Sequence, residues 1–68
     1  MKLSARNILR GPIVEVHKGQ TTAHVVLEIE NSRVTAAITN EAVDDLKLRK
    51  GQAAYAVIKA SDVMVAID

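Results

Sequence analysis

Ala23, Val25, Leu27 and Ile29 recur at every second position between Thr21 and Glu30, with Thr22, His24, Val26, Glu28 and Glu30 between them. A period of two places the first set on one face of an extended strand and the second set on the other. The flanking segments obey the same rule in shorter runs. Lys2–Ile8 reads as a first strand with Leu3 and Ala5 inward. Gly11–Pro12 reads as an interruption and Ile13–Lys18 as a resumption through Val14 and Val16. Gly19, Gln20 and Thr21 give a hairpin turn, Asn31–Ser32 a second turn, and Arg33–Ile38 a returning strand. At Thr39 the period changes. Thr39 or Asn40 caps a short helix running to about Leu46, with Val43 and Leu46 on one face. Positive charge at Lys47–Lys50 suits the end of that helix, and Gly51 closes the segment. Ala53–Lys59 and Val63–Ile67 supply two further strands around a turn at Ala60–Ser61–Asp62. The expected fold is mainly β, a small OB-like Greek-key barrel of five or six short strands with one short helix near residues 40–46. One domain is expected to span residues 1–68.

Size limits what such a barrel can do alone. A chain of 68 residues buries only about 60% of its unfolded surface, which leaves a monomer marginal. Small domains gain stability from disulfides, a metal or oligomerisation. The sequence has no cysteine, which removes disulfides and thiolate metal sites together. His17 and His24 are its only imidazoles, so direct ligation of a metal cation is not expected either. Self-association remains, and the apolar content of 49% agrees with it. Tyr55 is the single aromatic residue, which leaves little to stack nucleobases upon. The net charge of +1 provides no strong field for a polyanion or a membrane surface. No apolar run of signal-peptide length opens the sequence, and none approaches the ~20 residues of a membrane span. A soluble, cytoplasmic protein is the expectation.

Two polar tracts carry the chemistry. Ser4-Ala5-Arg6-Asn7 offers a guanidinium, a hydroxyl and an amide, and Lys59-Ala60-Ser61 offers an ammonium and a hydroxyl. In both, a small alanine lets backbone N–H groups approach a ligand, and neither contains a carboxylate. Such a donor-only set suits a small, fully deprotonated oxyanion, whose two charges Arg6 and Lys59 would balance. Hydrogen phosphate is disfavoured, because its proton finds no acceptor and an unpaired buried donor costs about 1–3 kcal/mol. Each tract also has a plainer reading as a solvated strand end. Thr39 caps the helix and stands beside the free N–H groups of its first turn. Glu15, Glu28, Glu30, Asp44 and Asp45 read as surface carboxylates. No pair of them is marked out for acid–base catalysis, and no enzyme is expected.

The tracts, with Gly11, Gly19, Ala37-Ile38-Thr39, Leu46, Gly51 and the continuation Asp62-Val63-Met64, resemble the molbindins, small molybdate-binding proteins, across essentially the whole chain. The resemblance implies OB-like barrels assembled as homohexamers, trimers of dimers, that bind molybdate or tungstate at subunit interfaces. It implies no organic cofactor, no nucleic acid and no membrane partner. By motif, the oxyanion-binding residues are Ser4, Ala5, Arg6, Asn7, Thr39, Lys59, Ala60 and Ser61. Gly19, Gln20, Thr21 and Thr22 form the candidate for a second oxyanion site. The chain departs from some relatives at Ala42, where they carry serine, and at Asn31–Ser32, where many carry glycine. It holds one copy of a module that occurs elsewhere in tandem. The implied role is storage and buffering of the anion. Two other functions compete with it: a nucleic-acid-binding OB module and a purely structural assembly module.

Overall fold

The computed structural model describes all residues from Met1 to Asp68. Its elements are β1 (Asn7–Lys18), β2 (Thr22–Ile29), β3 (Ser32–Thr39), α1 (Asn40–Leu46) and β4 (Ala53–Ile58), followed by a single 3₁₀ turn at Ala60–Asp62. The strands pair antiparallel in the order β3-β2-β1-β4. This is the expected mainly-β, OB-like architecture with one short helix, built from four strands.

The alternation in β2 sets the inner face. Ala23, Val25 and Leu27 are buried and Ile29 packs against them, while His24 and Glu28 face out. Ile13, Val43 and Ala56 complete the core, so β1, β2, α1 and β4 each contribute to it. The core is small. Only seven of the 68 residues are buried, none of them polar, as the high surface-to-volume ratio of so short a chain dictates.

β1 holds the two ladders together. Its first half, Asn7–Pro12, pairs with β4, and its second half, Ile13–Lys18, pairs with β2 across an irregularity between Ile13 and Glu15. Gly11–Pro12 therefore lies inside one continuous strand and does not interrupt it. Pro12 stands where the β4 ladder ends at Ala53, just before the β2 ladder begins at Ile13, so its missing N–H falls between the two. Gly11 is there for closeness. A Cβ at this position would lie 2.2 Å from the carbonyl oxygen of Glu28, which is backbone and cannot swing aside. Ile13, next along, is clamped by its own backbone: its N–H donates to Gln52 O and its carbonyl accepts from Gly51 N–H, both at 2.8 Å.

Three other expectations are corrected. Residues 1–6 are not strand, so the first strand begins at Asn7 rather than Lys2. Val63–Ile67 is not a strand either. Its apolar residues alternate with further apolar residues, and the chain offers nothing to cover both sides; Met64, Val65 and Ile67 are 93%, 90% and 94% exposed. Leu46, expected beside Val43, is 64% exposed, and Leu48 takes its place against the core, with its N–H on Val43 O at 3.0 Å. The shift follows from where α1 stops. Lys47 adopts a left-handed conformation (φ 54°, ψ 46°) and ends the helix, so Gly51 shapes a later turn at φ 92°. At the other end Thr39 is the cap, its Oγ1 accepting from Ala42 N–H at 3.0 Å.

The two glycines make different demands. Gly11→Ala should destabilise the protein by about 2 kcal/mol or more, because β2 must move. Gly51→Ala meets open space and should cost only about 1 kcal/mol for its positive φ. Urea unfolding of both variants at one protein concentration checks the order; equal losses would contradict it.

Candidate functional site

The tracts at either end of the sequence leave the same end of one ladder. Asn7 stands opposite Ile58 as the outermost pair of β1 and β4, and its side-chain Nδ2 donates to Ile58 O at 3.2 Å. Ser4-Ala5-Arg6 precedes this pair and Lys59-Ala60-Ser61 follows it, so the fold brings together two segments more than fifty residues apart in sequence. Asn7 thereby has a structural task, fastening the two segments at their exit. Ser4, Arg6, Lys59, Ala60 and Ser61 are exposed, while Ala5 and Asn7 are half-buried.

The second tract is shaped by the 3₁₀ turn. Asp62 N–H donates to Lys59 O at 2.9 Å and Val63 N–H to Ala60 O at 3.2 Å. The N–H groups of Ala60 and Ser61 head the turn and have no acceptor within it. Neither Arg6 nor Lys59 takes part in any of the four ion pairs, which join Glu15 to His17 and Arg33, Glu28 to Arg33, and Asp44 to Lys18. The exposed cations and donors are thus uncommitted. One carboxylate, Asp62, lies in the turn itself.

Thr39 is elsewhere. It pairs with Thr22 where β2 begins, while Ala23 pairs with Lys18 at the far end of β1 from Asn7. The length of β1 therefore separates Thr39 from the two tracts within one chain. What Thr39 does accompany is Gly19–Thr22. Gly19 N–H donates to Thr22 O at 2.8 Å, and Asn40 holds the turn twice, through Nδ2 to Gly19 O at 2.9 Å and N–H to Thr21 O at 2.8 Å. Asn40 is the residue that sequence reasoning undervalued. Its place directly after a helix-capping threonine was the available signal, since asparagine favours such junctions. Its Oδ1 is buried without a partner. Oγ1 of Thr39 accepts the capping bond, which leaves its hydroxyl hydrogen free to donate.

The chain thus presents two donor-rich clusters, one at each end of β1. No group of three or more His, Asp or Glu side chains is placed to hold a metal ion, and no helix is long and apolar enough to cross a membrane. The single aromatic ring is engaged, with the Arg10 guanidinium 5.9 Å from the Tyr55 ring centre.

A family model described as the TOBE domain matches residues 3–65. Molybdenum-pterin-binding protein 3 of Clostridium pasteurianum is 47% identical over 66 residues, covering 96% of this chain and 97% of its own. A molybdate-binding protein from Sporomusa ovata has the same fold with a TM-score of 0.94 at 36% identity, over 98% of this chain and 100% of the other. The cytoplasmic molybdate-binding protein ModG, solved with molybdate bound, gives 0.88 at 43% identity over 94% of this chain and 46% of its own. The chain belongs to the TOBE-domain family, as a protein of the molbindin type.

Proposed function

We propose that this protein binds molybdate or tungstate reversibly and buffers it in the cytoplasm, at interfaces between copies within a homohexamer built as a trimer of dimers. The observation that carries the reading is the junction at Asn7 and Ile58, from which two tracts of uncommitted donors emerge together. In this reading Arg6 and Lys59 neutralise the dianion. Ser4 and Ser61 donate hydroxyl hydrogen bonds, and the N–H groups of Ala5, Ala60 and Ser61 close around the anion. Asn7 holds the two tracts in register. Thr39 completes the site from another copy, because β1 keeps it away from the tracts of its own chain. Gly19, Gln20, Thr21 and Thr22 form the second oxyanion site on the same principle, with Asn40 holding the turn in shape. No bond is made or broken, and the protein acts as a carrier rather than an enzyme.

The relatives' names refer to a molybdenum-pterin, while two solved neighbours are described by molybdate itself. The donor set favours the bare oxyanion. A pterin needs a flat face to stack upon, and Tyr55 is the only aromatic side chain, already paired with Arg10. Having only one ring also counts against single-stranded nucleic acid, whose successive bases need several such faces.

Equilibrium dialysis tests the reading. The wild-type protein should retain molybdate at micromolar concentration in the presence of excess sulfate and phosphate. Arg6→Ala and Lys59→Ala should each weaken retention at least about tenfold, the loss of one charge-assisted hydrogen bond. Failure of the wild type to retain molybdate, or equal retention of sulfate, would sink the proposal.

Thr39 allows capping and binding to be separated. Aspartate caps a helix as well as threonine does, but places a carboxylate where the dianion would lie. Thr39→Asp should keep the unfolding free energy within about 0.5 kcal/mol of wild type and weaken molybdate binding more than about tenfold. Intact binding in a stably folded Thr39→Asp protein would remove Thr39 from the site.

A further inference from the structure

The sheet presents two faces of different character. On the inner side, β3 and β4 wall an open hollow of about 720 Å³ whose lining is almost wholly apolar, and it lacks the polar groups that orient a small ligand. On the outer side, the alternation of β2 turns His24 and Glu28 away from the core. The register of β1 with β2 sets His17 directly opposite His24. Directly opposed residues of an antiparallel pair share a face, with their Cβ atoms ~5 Å apart. The only two imidazoles of the chain therefore form a cross-strand pair. Both are exposed, and 72% of the His17 side chain is open to solvent.

The charges around the pair narrow what it can hold. The Glu15 carboxylate lies 3.5 Å from His17 Nε2. Arg33 reaches Glu15 at 3.8 Å and Glu28 at 3.9 Å, so its charge is met by two carboxylates. Lys18 is turned to Asp44. On the other flank, Arg49 and Lys50 share a shallow hollow with Glu15 and His17 and repel any ion held by charge alone. A hard cation such as Mg²⁺ needs several oxygen ligands, and it would find one carboxylate here with cations beside it. Ni²⁺, Cu²⁺ and Zn²⁺ bond instead to neutral imidazole nitrogen, and so depend less on that charge.

We propose that His17 and His24 together chelate one divalent ion of the nickel–copper–zinc class on the outer face of the β1–β2 hairpin, with water completing its shell. Imidazoles whose Cβ atoms stand ~5 Å apart can each bring a nitrogen to about 2.1 Å from a common ion. Glu15 steadies the His17 ring, as carboxylates beside ligating histidines do. Two protein ligands are too few for a permanent structural ion, which takes four, so this ion is exchangeable. It joins neighbouring strands and stabilises the folded chain by mass action. Neither histidine belongs to either donor cluster, so the site is independent of the oxyanion reading.

Proton nuclear magnetic resonance of the full-length protein tests this, with zinc chloride or magnesium chloride added after chelator treatment and in the absence of molybdate. The imidazole Cε1 proton signals of both histidines should move together and saturate at one zinc ion per chain, while magnesium leaves them in place. By calorimetry, His17→Gln and His24→Gln should each weaken zinc binding at least about tenfold, since either change destroys the chelate. Both side chains are exposed, so the far-ultraviolet circular dichroism of the variants should match wild type. Zinc should raise the Tm of the wild type and leave that of either variant nearly unchanged. Movement of only one histidine signal would overturn the proposal. So would zinc affinity unchanged in either variant, saturation at one ion per two chains, or no uptake at submillimolar zinc.

Discussion

The structure depends on one close approach, the contact of the Gly11 backbone with the Glu28 carbonyl. Because no side chain stands there, β1 can hand over from β4 to β2 without leaving the sheet, and Ile13 then drops into the core at the handover. Both donor clusters are positioned from this point. Towards its N-terminus, β1 delivers Asn7 to Ile58 and gathers the two terminal tracts. Towards its C-terminus, it delivers Lys18 to the start of β2, where Thr39, Asn40 and the Gly19–Thr22 turn meet. One strand thus fixes both donor clusters and keeps them apart.

What the sequence made legible was what local rules govern. The alternation of Ala23, Val25, Leu27 and Ile29 identified β2 and its inner face, because burial on one side of a strand writes a period of two. Thr39 announced the helix, because a side-chain oxygen before an acidic turn satisfies free N–H groups. The misreadings at Gly11–Pro12, Leu46 and Val63–Ile67 have a shared cause. Each depends on a partner that sequence spacing does not name. Gly11 looked like punctuation because Glu28 lies far away along the chain; Leu46 looked buried because the helix end depended on the conformation of Lys47. Val63–Ile67 has the composition of a strand, and within one chain it has no ladder to join.

The donor tracts were visible as chemistry, whereas their meeting was visible only in the ladder register. Two cations and two hydroxyls in short tracts are common on protein surfaces, and most such groups are merely solvated. The ordered landmarks shared with the molbindins raised the tracts above that background, and the pairing of Asn7 with Ile58 supplies the physical reason why they belong together. Thr39 shows the limit of a motif: the residue is present, yet the length of β1 puts it at the other end of its own chain.

Tyr55 adds a consequence of another kind. It is the only aromatic residue of the protein and therefore its only appreciable intrinsic fluorophore. Its ring is exposed, lies beside the Arg10 guanidinium and forms part of the wall of the open hollow. The protein's own ultraviolet emission thus originates on a face left uncovered in the single chain, and the core contributes nothing to it. Such a signal answers first to what settles on that face, and only indirectly to whether the strands behind it are intact.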